Sequence, residues 1–283
     1  MALEGHEGSV MRLAFADGCR RIVSAADDRT ARVWDVDFGN ASSSCAAAVW
    51  GHTARVWDCV LLPGGRLATT GEDCTCRLWD LSRDGEGGGK PECLAVLRGH
   101  AGRGIWRAAL DEAHGLLVTA GADSSLKLWP LAKWLPEGRH RELLPLVGPG
   151  HVRVGMNDKT ANHDSSADYV RTLVLAKPNL LFVGTHFGAV HAVSAPLDCE
   201  EGQEKWYPLH ATDERRIALV EMAARSGGRH LLFGDVNGEA TVLHVRCGEH
   251  TIESSVCAQW SATRPKFLAK LGWLPGLLSE DGG

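Results

Sequence analysis

Three histidines in the first half of this chain can each be grouped with a hydroxyl residue and an aspartate. A hydroxyl, an imidazole and a carboxylate are the groups with which many hydrolases generate a nucleophile, the imidazole acting as general base. One such set, taken alone, would suggest hydrolysis. The three sets are His6, Ser24 and Asp28; His52, Thr69 and Asp73; and His100, Thr119 and Asp123.

The regular recurrence of these sets argues against catalysis. The three histidines lie 46 and 48 residues apart, and each unit ends on a tryptophan six residues after its aspartate: Trp34, Trp79 and Trp129. An active site seldom occurs three times at one period, whereas a structural element of a repeat must. We therefore interpret each set, with its tryptophan, as a structural tetrad in which buried donors and acceptors satisfy one another.

The segments between these residues predict short β-strands. Alternating apolar residues occupy matching offsets in strand one of each unit. They are Val10, Leu13 and Phe15; Val56, Cys59 and Leu61; and Ile105, Ala108 and Leu110. A period of about 40 to 50 residues that opens on Gly-His and closes near Trp-Asp resembles the WD40 repeat, which implies one four-stranded propeller blade per unit.

The whole chain is predicted to be an all-β WD40 propeller with about five blades. We assign residues 1–138 to three regular blades, 139–167 to an exposed insertion, 168–262 to two degenerate blades and 263–283 to a C-terminal tail or partial blade. A propeller has to close or leave sheet edges exposed. We favour a partial propeller from a larger multi-propeller protein over a closed five-bladed ring.

Composition narrows the class of protein. A formal net charge of −5 over 283 residues disfavours a protein that holds nucleic acid by bulk charge, although a local basic patch stays compatible. The chain shows neither a signal-peptide pattern nor an apolar run long enough to span a membrane, so no membrane partner is expected. Nine scattered cysteines fit a reducing compartment, and we expect a cytoplasmic protein.

Potential metal ligands occur in two places. Cys74 and Cys76 form a Cys-x-Cys, but zinc sites generally combine Cys-x-x-Cys with a second ligand pair, and none lies nearby in sequence. The insertion contains further potential ligands, which we interpret as part of a solvated loop rather than as a cation site: His151, Asn157, Asp158, His163 and Asp164. We expect no metal, no small-molecule cofactor and no catalytic residue, so the chain is not expected to be an enzyme.

The candidate binding surface consists of three arginines and two tryptophans. Arg55 and Arg103 precede strand one of adjacent blades, where consecutive blades meet. Trp57 and Trp106 directly follow the first buried apolar residue, so alternation turns them toward the mouth of the channel; Arg107 follows Trp106. Arginine and tryptophan often carry interface energy, and arginine pairs with phosphate. The alternative is that these tryptophans pack between blades and the arginines are solvated.

Three strings carry a more specific resemblance: Gly51-His52-Thr53-Ala54-Arg55-Val56-Trp57, Gly71 to Trp79 and Arg98 to Ile105. They resemble the WD-repeat regulatory subunit of the tRNA 2′-O-ribose methyltransferase that modifies the wobble nucleotide of the anticodon loop. The resemblance implies a non-catalytic scaffold that partners the S-adenosylmethionine-dependent catalytic subunit and contacts tRNA locally and weakly. It does not indicate which tRNA species are served. The alternative is a protein–protein adaptor, as in vesicle traffic or ubiquitin ligation, without an RNA role.

Overall fold

The computed structural model describes residues 2–81, 90–113, 115–123, 125–131, 142–143, 169–177, 180–194, 205–210, 219–248 and 251–261. Within these ranges the chain folds into twenty strands and two short 3-10 turns, with no α-helix. The all-β prediction is confirmed. None of the described segments is a helix that could cross a membrane. The chain divides into two units, Met1–Val170 and Arg171–Gly283.

Three antiparallel sheets make up the first unit, and we call each sheet a blade. The strands of blade 1 follow one another in sequence, as do those of blade 2, whose last strand also pairs in parallel with the two-residue β12. Blade 3 has three strands within the described residues. The strands are β1 (Val10–Ala16), β2 (Arg21–Ala26), β3 (Thr30–Asp37), β4 (Ser42–Trp50), β5 (Val56–Leu62), β6 (Arg66–Gly71), β7 (Thr75–Asp80), β8 (Glu92–Arg98), β9 (Ile105–Asp111), β10 (Leu116–Gly121), β11 (Leu126–Pro130) and β12 (Glu142–Leu143).

Two further four-stranded sheets, blades 4 and 5, follow in the second half of the chain. Their shared core includes Phe182, Leu219 and Phe233. Apart from β12, the predicted insertion at 139–167 lies outside the described residues, and so does the predicted tail at 263–283. The strands are β13 (Val170–Lys177), β14 (Leu180–Thr185), β15 (Val190–Ser194), β16 (Lys205–His210), β17 (Leu219–Arg225), β18 (His230–Asp235), β19 (Glu239–Cys247) and β20 (Ile252–Ser261).

One strand register recurs in the first three blades and positions the tetrads. In blade 2, Thr69 pairs with Arg77 and Leu67 pairs with Trp79, so Trp79 lies diagonally across from Thr69 on the same face of the sheet. Diagonal neighbours in a sheet are within reach of an aromatic side chain. The equivalent pairings place Trp34 near Ser24 and Trp129 near Thr119.

Apolar side chains are buried mainly between neighbouring blades. One core cluster contains residues of strands β2, β3 and β4 of blade 1 together with residues of blade 2, including Val56, Cys59 and Trp79. A second cluster joins Cys76 and Leu78 of blade 2 to Ile105, Ala108 and Trp129 of blade 3. Strand one of blade 2 and of blade 3 is therefore covered by the blade that precedes it.

Strand one of blade 1 has a different environment from its two counterparts. Val56 and Ile105 are fully buried, whereas Val10 is 48% exposed and Phe15 is 61% exposed. Leu13 is exposed as well. The sequence pattern treats the three strands as equivalent, but their burial depends on a neighbouring sheet, and within the described part of the first unit only the first strands of blades 2 and 3 follow another blade.

Candidate functional site

The tetrad of blade 2 is a chain of hydrogen bonds that starts at an indole and ends at a carboxylate. Trp79 Nε1 donates to Thr69 Oγ1 over 2.9 Å, and the Thr69 oxygen lies 2.8 Å from His52 Nε2. His52 Nδ1 is 3.0 Å from both oxygens of Asp73. Because a carboxylate only accepts, Nδ1 carries the proton, and Nε2 accepts the proton of the Thr69 hydroxyl.

The carboxylate of Asp73 also organises the turn between β6 and β7. It accepts hydrogen bonds from the backbone N–H of Thr53 (3.0 Å) and of Thr75 (3.1 Å), and from the Thr75 hydroxyl (2.7 Å). Burial raises the pKa of Asp73, but the hydrogen bonds from His52, Thr75 and Thr53 outweigh it and hold the pKa well below its usual range. The folded protein therefore stabilises the ionised form.

Blades 1 and 3 repeat this arrangement with their own residues. The His–Asp distances are 2.8 Å and 3.0 Å, the His–hydroxyl distances are both 2.7 Å, and the indole–hydroxyl distances are both 2.8 Å. Burial raises the carboxyl pKa here too, yet the hydrogen bonds lower it to about 2 for both Asp28 and Asp123. The residues are His6, Ser24, Asp28 and Trp34 in blade 1, and His100, Thr119, Asp123 and Trp129 in blade 3.

In each tetrad, the residue two positions before the aspartate correlates with the number of carboxylate oxygens that the histidine Nδ1 contacts. Gly71 fills this position in blade 2, where an added Cβ would lie 2.6 Å from His52 Nδ1. Gly121 fills it in blade 3, where an added Cβ would lie 2.6 Å from His100 Nδ1. Blade 1 has Ala26 there, and His6 Nδ1 makes its hydrogen bond to one Asp28 oxygen only. The glycines thus leave room for the imidazole to face both oxygens.

The tetrad hydroxyls are badly placed for nucleophilic catalysis. Ser24, Thr69 and Thr119 are at most 1% exposed, and each already accepts a hydrogen bond from an indole. A substrate carbonyl has no route to them in this conformation. The geometry instead ties the start of each unit to a hairpin turn, and this supports the structural interpretation of all twelve residues.

Sequence reasoning missed a buried carboxylate in strand one of blade 2. Asp58 is 1% exposed; its Oδ1 lies 3.2 Å from Arg12 Nε of blade 1, and its Oδ2 accepts from the Ala108 N–H of blade 3 over 3.0 Å. The backbone N–H of Cys59 also donates to Oδ1. A charged residue inside an otherwise apolar strand was the available signal, because a buried charge requires partners.

Arg55 and Arg103 are both exposed and lie at the junction of blades 2 and 3. The Arg55 carbonyl accepts from the Glu72 N–H over 2.8 Å, and Arg55 Nε is 3.8 Å from Glu72 Oε2. Next to Arg103, Gly104 has a φ of +112°, and a Cβ there would lie 2.6 Å from the Glu72 Cα. The start of β9 therefore rests directly on the turn of blade 2.

Trp57 and Trp106 are brought together by matching β-bulges. The pairing of strand one with strand two skips one residue between Val56 and Asp58, and likewise between Ile105 and Arg107. The skipped residues are the two tryptophans, whose ring centroids are 4.4 Å apart with planes at 41°. A bulge re-aims a side chain, and alternation alone does not predict it. Arg107 is half-buried and donates to the Trp106 carbonyl over 3.0 Å.

The Cys-x-Cys has the properties of structural cysteines. Cys76 is fully buried, and burial raises the pKa of its thiol, which disfavours the thiolate that binds metal. Cys74 Sγ donates to the Gly102 carbonyl over 3.2 Å. The described residues contain no cluster of three or more metal-ligating side chains. The potential ligands of the insertion, which all lie within residues 151–164, fall outside the described ranges.

The repeats also match a known family. Residues 1–35, 43–80 and 91–130 match the family described as "WD domain, G-beta repeat". Each of these three segments is similar to a WD40 repeat. These matches cover the three blades that hold the tetrads, which accounts for the repetition of the hydrogen-bonded sets.

The chain is similar to named regulators of tRNA methylation. It is 28% identical over 202 residues to the human "tRNA (34-2'-O)-methyltransferase regulator WDR6", covering 70% of this chain and 16% of that protein. The mouse protein of the same name is 35% identical over 133 residues, 46% of this chain and 11% of the relative. This chain thus spans about a sixth of the length of these relatives.

Other WD40 proteins are similar over shorter stretches. The "Nuclear distribution protein PAC1" of Arthroderma otae is 37% identical over 107 residues, which is 35% of this chain and 21% of that protein. The match to WDR6 covers twice that share of the chain. The sequence-based expectation of a WD-repeat protein related to the methyltransferase regulators is confirmed.

Proposed function

We propose that this WD40 chain is a non-catalytic regulatory component of a tRNA 2′-O-ribose methyltransferase that acts on the wobble nucleotide in the cytoplasm. It holds the S-adenosylmethionine-dependent catalytic subunit and the tRNA in a productive arrangement. The observation that carries the proposal is the homology to methyltransferase regulators over 70% of the chain. The buried tetrad hydroxyls agree with a role that leaves the chemistry to the partner.

Holding a substrate is a sufficient role for such a component. Positioning alone can lower a barrier by several kcal/mol, because it replaces a bimolecular encounter by a prearranged one. Arg55 and Arg103 supply exposed positive charge on adjacent blades, and guanidinium groups pair with phosphate. The net charge of −5 makes a local contact more suitable than a broad basic face.

Disruption of the gene followed by complementation tests the proposal. Ribose methylation at tRNA position 34 is mapped in disrupted cells and in cells complemented with the unchanged chain. We expect methylation to be lost on disruption and restored by complementation, with the methyltransferase recovered by affinity purification of the chain. Unchanged methylation together with no recovered methyltransferase rejects the proposal.

Charge-reversal variants then test the surface. We expect Arg55→Glu and Arg103→Glu to weaken tRNA or enzyme binding while the protein stays folded. Arg20→Glu is the matched control, because Arg20 is also exposed but lies in the turn after β1, whereas Arg55 lies directly before β5, the equivalent strand of blade 2. Equal binding by all three variants removes Arg55 and Arg103 from the proposed surface.

A protein–protein adaptor without RNA contact is the second candidate. The similarity to a nuclear distribution protein over 107 residues favours it, since WD40 repeats serve several unrelated assemblies. In that case purification of the chain recovers protein partners but no methyltransferase, and wobble methylation does not depend on the gene.

A further inference from the structure

We propose that Trp57, Trp106 and Tyr169 form a stacking site for an unpaired nucleobase of single-stranded RNA. The choice of RNA as ligand rests on the proposed function. The site itself rests on the placement of three aromatic rings and the arginines around them. We call this set of three rings the aromatic row.

The aromatic row is assembled from three separate segments of the first unit. Trp57 and Trp106 have ring centroids 4.4 Å apart, and Trp106 and Tyr169 have centroids 6.1 Å apart with planes within 21° of parallel. Each of the three side chains is half-buried, so each keeps surface that a ligand can reach. A row of rings offers a planar ligand an extended apolar face.

The two tryptophans are held outside the blade cores. Their neighbours Val56 and Ile105 are fully buried members of the core clusters, whereas neither tryptophan belongs to these clusters. The bulges at Trp57 and Trp106 produce this separation. The same bulge recurs at Met11 in β1 and at Val220 in β17, so it is a common feature of strand one, and in blades 2 and 3 it carries an indole side chain.

The indole nitrogen of Trp57 provides an independent indication of a missing partner. Within the described residues, Trp57 Nε1 is buried and its N–H donates to no acceptor. The tetrad indoles contrast with it, since Trp79 Nε1 donates to Thr69 over 2.9 Å. A buried donor without an acceptor costs free energy, which an acceptor on a bound ligand would recover.

Positive charge beside the row favours a nucleic acid over an apolar peptide. Arg55 is two residues before Trp57, and Arg103 is three residues before Trp106; both are exposed. The Arg55–Glu72 pair is long, at 3.8 Å, and both side chains are exposed, so a phosphate can replace the carboxylate at little cost. Aromatic platforms flanked by arginine are the usual means of holding unpaired bases and their backbone.

The test compares a strand that has bases with one that lacks them. A fluorescently labelled single-stranded oligoribonucleotide of about ten nucleotides, its abasic counterpart and an RNA duplex of equal length are titrated with the full chain by fluorescence anisotropy. We expect the single strand to bind about tenfold more tightly than the abasic strand, the usual effect of one stacked base. The duplex should bind no better than the abasic strand.

Single substitutions test whether the aromatic row is responsible for the tighter binding of the base-containing strand. Trp106→Ala should weaken binding of the base-containing strand about tenfold but leave binding of the abasic strand unchanged. Trp57→Phe keeps an aromatic ring but removes the Nε1 donor, so it should weaken binding of the base-containing strand by less than Trp106→Ala. Trp50→Ala is the matched control, because Trp50 is 64% exposed on β4 and outside the row. Circular dichroism and thermal unfolding verify that each variant is folded.

Three outcomes overturn the inference in distinguishable ways. Equal affinity for the base-containing and abasic strands rejects stacking, while the phosphate contact stands if Arg55→Glu still weakens binding. Displacement of the RNA by a glutamate-rich peptide that binds through Trp106 assigns the row to a protein partner. A chain that binds no RNA, yet is needed for wobble methylation, refutes the stacking site without refuting the regulatory function.

Discussion

Arg12 in the first blade forms an ion pair with Asp58 in the second blade, with 3.2 Å between Nε and Oδ1. The aspartate is 1% exposed and also accepts a backbone hydrogen bond from Ala108 in the third blade. One carboxylate thus connects three sheets through their first strands. Its burial means that none of these partners can be exchanged for water without cost.

Removing this carboxylate should destabilise the first unit strongly. Asp58→Ala leaves a guanidinium and a buried N–H without their acceptor, and we expect the free energy of unfolding to fall by about 3–5 kcal/mol. Asp35→Ala is the control, because it breaks the exposed Arg21–Asp35 pair (2.9 Å) and should cost less than about 1 kcal/mol. Urea unfolding measures both, and similar losses would contradict the bridging role.

The tetrad hydroxyl should be needed for stability and should be replaceable by another hydroxyl. Thr69→Val keeps the shape but leaves Trp79 Nε1 and His52 with an unmet hydrogen bond, at a cost of about 1–3 kcal/mol. Thr69→Ser should retain most of the stability, since Ser24 fills this position in blade 1. Chemical denaturation of both variants decides the matter; equal stability would show that the hydrogen bonds contribute nothing.

The tetrad aspartates should make stability depend on pH in the acidic range. The pKa of Asp28 and Asp123 is about 2 in the folded protein, against a usual value of 3.8. Between these values the unfolded chain binds more protons than the folded one, so the contribution is complete above about pH 4 and is lost as pH falls toward about 2. Urea midpoints at a series of pH values measure this loss. Asp123→Asn should reduce the slope, and an unchanged slope would exclude that carboxylate as a source.

Gly104 should tolerate substitution less well than Gly115. Both have positive φ, +112° and +60°, so alanine introduces backbone strain at either position, and at Gly115, in the left-handed α region, this strain is about 1–2 kcal/mol. A Cβ at Gly104 would in addition meet the Glu72 backbone at 2.6 Å, whereas nothing lies within 4 Å at Gly115. We expect Gly104→Ala to lower the thermal midpoint further than Gly115→Ala. Equal thermal midpoints for the two variants would mean that the close contact between Gly104 and the Glu72 backbone does not contribute to stability.

A glycine-to-alanine change in a tetrad should have a mild, defined effect. Gly71→Ala places a Cβ against His52 and should shift the imidazole toward the one-oxygen contact of blade 1, where Ala26 already stands. Because blade 1 folds with that geometry, we expect a smaller loss of unfolding free energy than for Thr69→Val. A crystal structure of the variant would show the His52–Asp73 contact directly, and a lost contact would contradict the expectation.

The sequence by itself determined the repeat, the all-β class and the members of the tetrads. These follow from residues at fixed spacing, because the register of a hairpin converts a spacing such as Asp73 to Trp79 into a spatial contact within one sheet. The relationship to the methyltransferase regulators was also readable from short strings around Arg55 and Cys74. Contacts within one sheet can therefore be predicted from the local sequence.

Only the tertiary structure decided which equivalent positions are buried and which side chains meet across blades. Phe15 and Leu61 occupy matching offsets, yet Phe15 is 61% exposed, whereas Leu61 packs against the core cluster that blades 1 and 2 share. The bulges that pair Trp57 with Trp106, and the bridge from Asp58 to Arg12 and Ala108, join strands some fifty residues apart. Such contacts depend on how whole sheets pack, and alternation within one strand carries no information about that packing.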